Sequence, residues 1–172
     1  MAKRIRPAIS APHTRWIKAV HTPTGQTVGI AVWAKESGSV HNIWRYSAMK
    51  HYGWEESEGW TDAEVEEMWA HVDVEAWGNM FDGNDAIREE YFKGEPHWYL
   101  ASLMTWPEWQ GRGIGRLLLD DGIGVAEGES PELPLYLESS DMARAVYRRM
   151  GFEPIGKKNM VRRVREERKV EG

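Results

Sequence analysis

Leu100 to Glu127 read LASLMTWPEWQGRGIGRLLLDDGIGVAE. An apolar, strand-like run from Trp98 to Thr105 enters a polar turn at Pro107, Glu108 and Trp109. The compact loop Gln110-Gly111-Arg112-Gly113-Ile114-Gly115 follows, and Leu117, Leu118 and Val125 then continue with helical spacing. The order is strand, glycine loop, helix. Such a loop presents bare backbone N–H groups at a helix N-terminus, where the helix dipole also favours an anion. Glycine has no Cβ, so the main chain can approach a ligand closely. The pattern predicts a phosphate, and in particular a pyrophosphate, on Gly111 to Gly115.

The kind of glycine loop is narrowed by what it lacks. A dinucleotide fingerprint needs a third glycine at its sixth position, where this chain has Arg116. A Walker A loop needs Lys-Ser/Thr after its last glycine, where this chain has Arg116-Leu117. The run Gln110-Gly111-Arg112-Gly113-Ile114-Gly115 resembles the acetyl-coenzyme A loop of the GNAT superfamily of N-acetyltransferases, Gln/Arg-x-x-Gly-x-Gly/Ala. Gln110, Gly113 and Gly115 fall on its fixed positions.

A second segment carries the same resemblance. Leu133 to Glu138, LPLYLE, reads as a short buried strand, and Ser139 or Ser140 can cap the helix after it. Ala143, Val146, Tyr147 and Met150 make a helical stripe, and Gly151 supplies a left-handed stop. Ser140 to Phe152, SDMARAVYRRMGF, resembles the superfamily's closing motif, a helix ending in Tyr-x-x-x-Gly-Phe, with Tyr147, Gly151 and Phe152 in place. The resemblance spans about Thr14 to Arg163 and looks closest to fungal GNAT-like proteins with Trp-rich inserts. It implies an α/β fold: a mixed, mostly antiparallel central sheet flanked by helices, with the fourth strand splayed from the fifth.

The resemblance also implies roles. Backbone groups of Leu103, Met104 and Thr105 would pair with pantetheine as a neighbouring strand does. The pyrophosphate would sit on Gln110, Gly111, Arg112, Gly113, Ile114 and Gly115, with Arg116 near its charge. Tyr147 takes the place of the general acid beside the sulfur; its other reading is a core aromatic. Ser140 falls where the family often has a residue touching the cofactor, and helix capping explains it equally. His97, Glu138 and Asp141 are the candidate bases by location, and water alone is the alternative. The implied reaction moves an acetyl group from acetyl-coenzyme A to a primary amine of a small molecule. A non-catalytic acyl-coenzyme A sensor or scaffold, and a protein or peptide acetyltransferase, are the rival readings.

Composition bounds these readings. The 172 residues suit one domain, 1–172, with an insert at about 36–96 and a basic tail at about 166–172. There is no cysteine, so disulfides, cysteine-ligated metals and a thiol nucleophile are excluded. The six histidines show no i, i+4 pair or ligand cluster, so no metal is expected. No apolar run approaches the roughly 20 residues of a membrane span, and a soluble, cytoplasmic protein is expected. The net charge of −5 is uneven. Glu55 to Glu95 hold 14 acids and 2 bases, whereas Lys157 to Gly172 hold 7 bases and 3 acids. An acidic surface steers cations such as amines. The basic tail has no interleaved aromatics, which argues against nucleic acid as a partner.

Arg15 to His21 and Gln26 to Trp33 read as a hairpin joined by a type I turn over Thr22-Pro23-Thr24-Gly25. The GNAT fold places its second and third strands here, yet only about a dozen residues precede them. The shortened N-terminus predicts an uncovered strand edge, and with it a homodimer or an atypical edge. Glu36 to Trp60 reads as irregular, then Thr61 to Glu64 as a capping box before a stripe of Val65, Met68, Trp69, Val72 and Ala76. A short helix is predicted from Asp85 to Phe92, capped near Asn84, and last strands at Phe152 to Lys157 and Asn159 to Arg165. Trp44, Trp54, Trp60 and Trp109 either wall an acceptor pocket or pack the insert onto the sheet.

Overall fold

β1 (Thr14–His21) and β2 (Gln26–Glu36) form the expected hairpin. Its turn starts one residue earlier than the Pro-Gly spacing suggested, because Thr24 N and Gly25 N both donate to the His21 carbonyl. The computed structural model describes residues 2–163, so the basic tail at 166–172 and the end of the last predicted strand lie outside it. β3 (His97–Thr105), β4 (Leu135–Glu138), β5 (Glu153–Pro154) and β6 (Asn159–Arg162) complete a sheet in the order β1-β2-β3-β4-β6-β5. Every pairing is antiparallel except β3 with β4. A parallel neighbour needs a crossover, and here it is the predicted helix α6 (Ile114–Glu127).

Strand residues alternate between two cores, as period-two side chains must. On one face, Trp33, Leu100, Leu135 and Leu137 pack against Leu118, Leu119 and Ile123 of α6. Tyr147 of α7 (Arg144–Arg149) and Phe152 close this core. Each fully buried leucine contributes about 1.5–3 kcal/mol. Gly122 is what lets α6 settle here, since a Cβ at that position would stand 2.2 Å from Trp33 Cε2.

On the other face, Val32, Ala34, Tyr99 and Tyr136 pack against the insert and against Ala8 of α1 (Ala2–Ser10). The insert is helical: α2 (Ala48–His51), α3 (Trp54–Glu58), α4 (Asp62–Trp69) and α5 (Val74–Phe92). Thr61 and Glu64 form the predicted capping box of α4. The stripe read through Ala76 is interrupted at Ala70–Asp73, where Asp73 caps α5 by accepting from Ala76 N at 3.0 Å. α5 therefore starts eleven residues before the predicted Asp85. Gly78, Gly83 and Asn84 read locally as breakers, and tertiary packing overrides that preference. Asn84 lies inside α5, and its carbonyl accepts from the Tyr136 hydroxyl at 3.2 Å.

Candidate active site

The site is built around a defect in β3. Val32 faces Ser102 and Trp33 faces Leu100, so Ala101 is an extra residue, a β-bulge. A bulge bends its strand and raises the local twist. β3 pairs with β4 only at Trp98, Tyr99 and Leu100, and the ladder ends at Leu100 opposite Leu137. Beyond the bulge the two strands part, as the resemblance implied. Leu103, Met104 and Thr105 keep β2 on one side, opposite Ala31, Ile30 and Gly29, and have no strand on the other among the described residues. Trp44 of the insert reaches this point, its indole N–H donating to the Ala101 carbonyl at 2.9 Å.

β3 then runs into the glycine loop. Pro107–Trp109 form one tight helical turn, and Gly111 and Gly113 follow with φ of 73° and 81°. These left-handed angles favour glycine. No side chain caps α6, whose N-cap is Gly113. The N–H groups of its first turn thus lack intrahelical partners. Gln110 ties the loop to β3, its amide donating to the Thr105 carbonyl at 3.2 Å, so that carbonyl is already engaged. Arg112 lies over Trp109, 5.0 Å from the ring centroid, and Arg116 lies 3.6 Å from Asp120. The loop fits a diphosphate group: uncapped donors, two left-handed glycines and two exposed guanidinium groups.

Tyr147 and Glu138 flank the parting strands from opposite faces. Tyr147 is 7% exposed in the α6-side core, 5.9 Å from Phe152 between ring centroids. Burial pushes its phenol above the usual range. Glu138 ends β4 just past the last parallel pair and shares its face with Tyr136, two residues earlier. Its Oε2 accepts from Tyr99 at 2.9 Å, while Oε1 is buried without a partner. Burial raises its pKa, against the pull of Arg88 and the neighbouring phenols.

His97 is placed elsewhere. It begins β3, at the far end from Thr105, and is 2% exposed with its ring stacked 3.7 Å from Phe92. Burial holds its pKa down at about 4. These surroundings correct its reading as a base, because it faces neither the loop nor solvent. Ser140 accepts from Ala143 N at 3.3 Å, the capping arrangement, although α7 itself begins only at Arg144. Trp54 is buried, and Trp77 donates to the Trp44 carbonyl at 2.7 Å, so these indoles pack the insert rather than wall a pocket. Trp109 borders the loop, 4.5 Å from His21.

Beneath Glu138 lies a charge cluster absent from the sequence reading. Arg88 is fully buried, its guanidinium 3.9 Å from the Tyr99 ring centroid, 3.1 Å from Asp85 and 3.4 Å from Glu36. Arg45 pairs with Asp85 at 2.7 Å. Burial pushes Glu36 up to about 7 despite Arg88. The available signal was Glu36 itself, a carboxylate closing an apolar strand, which requires a cationic partner from elsewhere in the chain. Among the described residues there is no metal-ligating cluster, and no helix is long and apolar enough to cross a membrane.

The model of the acetyltransferase (GNAT) domain matches residues 62–165. A protein named "Probable acyltransferase SID5", from Ajellomyces capsulatus, is 41% identical over 51 residues; that stretch spans 30% of this chain and 36% of the relative. A solved Corynebacterium glutamicum protein described as histone acetyltransferase HPA2 and related acetyltransferase superposes with a TM-score of 0.54 at 20% identity, over 92% of this chain and 68% of that one. A mosquito arylalkylamine N-acetyltransferase like 5b gives 0.52 at 13% identity, over 82% and 59%. At such identities the structural likeness is one of fold. The bulged β3, its divergence from β4, the glycine loop opening α6 and the family match together place this chain in the GNAT acetyltransferase family, whose acetyl donor is acetyl-coenzyme A.

Proposed function

We propose that this protein transfers an acetyl group from acetyl-coenzyme A to the primary amine of a small molecule. The observation that carries the reading is the meeting of an uncapped glycine-loop helix with two strands that part at Ala101. Leu103 to Thr105 would align the pantetheine arm and Gln110 to Arg116 the diphosphate, bringing the reactants together in line. Bound acetyl-coenzyme A supplies the activated acetyl thioester. Glu138, desolvated and ending at the fork, takes a proton from the acceptor ammonium. Tyr147, on the opposite face, gives a proton to the departing sulfur. The proton lost by nitrogen and the proton gained by sulfur thus pass through separate groups.

An acidic insert suits a cationic acceptor. A cavity of about 610 Å³ in it is lined by Glu55, Asp62 and Glu66 beside Tyr46 and Lys50. The outer edge of β1 carries no strand among the described residues. Pairing of two copies along that edge is the assembly we propose, and a monomer by sedimentation removes it. The test of the function is free-thiol release from acetyl-coenzyme A across an amine panel including phenethylamine and spermidine. Turnover that falls in Tyr147→Phe and Glu138→Gln while cofactor affinity holds supports the reading. Binding of acetyl-coenzyme A with no turnover on any amine favours a sensor.

A further inference from the structure

Glu138 is held by a short chain of hydrogen bonds whose direction is fixed. Asn42 is 1% exposed, and its Oδ1 accepts from Trp44 N at 3.0 Å. The amide nitrogen therefore faces Tyr99, donating to its oxygen at 3.1 Å. An amide nitrogen has only protons to offer, so the Tyr99 oxygen acts as acceptor toward Asn42. Its own proton is then directed at Glu138 Oε2, 2.9 Å away. Oε1 is left buried with no hydrogen bond of its own, the Tyr136 phenol being the carboxylate's other polar neighbour, and Glu138 directly follows Leu137, where the β3–β4 ladder ends.

We infer that Asn42 and Tyr99 are positioning residues for acetyl transfer: Asn42 aims the Tyr99 hydroxyl at Glu138 Oε2, which leaves Oε1 as the atom that accepts the acceptor's proton. The inference rests on the reading of Glu138 as the base and goes beyond it, since it names the groups that aim the carboxylate. A hydrogen bond donated to an ionised carboxylate stabilises its charged form. Tyr99 thus opposes the desolvation of Glu138. The other charged or titratable groups around the carboxylate are Arg88 and Asp85 from α5, Glu36 from β2 and Tyr136 from β4. Arg88 packs on the Tyr99 ring, so removing the hydroxyl alone leaves that contact in place. The bland rival is that the pair only fastens residues 42–44 of the insert to the sheet.

Side-chain carboxyl NMR on glutamate-labelled protein, read beside thiol release by Tyr99→Phe, separates the two: a pair that only fastens the insert leaves kcat unchanged, whereas a positioning pair lowers kcat at unchanged acetyl-coenzyme A affinity. The Glu138 resonance is the one missing from Glu138→Gln. In Tyr99→Phe its titration midpoint rises by about one pH unit. Asn42→Ala, which frees the Tyr99 proton to turn away, moves the midpoint the same way and adds little on top of Tyr99→Phe. Should Asn42→Ala not fold, Tyr99→Phe alone carries the test. A midpoint unchanged in Tyr99→Phe overturns the positioning role, whatever happens to stability. Thiol release by Glu138→Gln on phenethylamine and spermidine tests the base separately. Full activity there removes Glu138 from the reaction, and the positioning role with it, even if the midpoint moves.

Discussion

The indole N–H of Trp44 donates to the carbonyl of Ala101, the bulged residue at which β3 leaves β4. A bulge strands backbone groups that a regular ladder would satisfy. Here the insert satisfies one of them, so the segment between β2 and β3 helps shape the cleft. Trp44→Phe keeps an aromatic ring and loses the pyrrole half of the indole with its donor. We expect it to cost about 1–3 kcal/mol of stability and to weaken acetyl-coenzyme A binding, read by thermal unfolding and calorimetry. Unchanged affinity would show that the fork holds its shape without the insert.

Gly122 lies against Trp33, with 2.2 Å between a notional Cβ and Cε2. Gly122→Ala must push α6 off the sheet or turn the indole out of its rotamer. Overpacking of this kind costs about 1–3 kcal/mol. A denaturant midpoint equal to wild type would show that the helix shifts freely.

Glu36 gives a pH prediction with a definite sign. Its folded pKa is raised to about 7 from an ordinary value of 4.5, so its neutral form is the one the fold prefers. Its contribution is fully present below the unfolded value and is lost as pH rises through the folded one. Glu36→Gln cannot ionise. Its stability relative to wild type should therefore improve as pH rises from about 4.5 to 7 and then level off, by up to roughly 3 kcal/mol. Denaturant unfolding at several pH values checks this. A constant difference between the two proteins would mean that Glu36 titrates at the same pH folded and unfolded.

His97→Gln should leave turnover within about twofold of wild type, because the ring lies at the far end of β3 from the loop and a base must reach the proton it takes. Loss of the acid limb of the pH–rate profile in this variant would restore His97 as the base and displace Glu138.

The strand–loop–helix unit and the closing helix were legible because each is local. Alternating apolar residues, left-handed glycines and a stripe ending at Gly151 are written in neighbouring positions. α5 was read at less than half its length, since Gly78, Gly83 and Asn84 carry loop preferences, and the tertiary contacts of this stretch, Arg45 to the Gly78 carbonyl and Tyr136 and Asn159 to Asn84, are not written locally. Glu138 was named from its place at the end of a strand. Asn42, Tyr99 and Arg88 were not, and Trp44 was named only with its two readings open, because their roles exist only where the insert meets the sheet. The burial of His97 against Phe92 is a tertiary contact of the same kind, which its place at the start of a strand does not reveal.

Calorimetry of acetyl-coenzyme A against wild type and Gly113→Val addresses the account most directly. Valine at Gly113 is strained at φ 81° and brings a branched Cβ to the uncapped start of α6. Saturable one-site binding to wild type, weakened at least tenfold in a Gly113→Val protein that still unfolds cooperatively, is the predicted result. Equal affinity in the two proteins, or no binding to wild type, would contradict it.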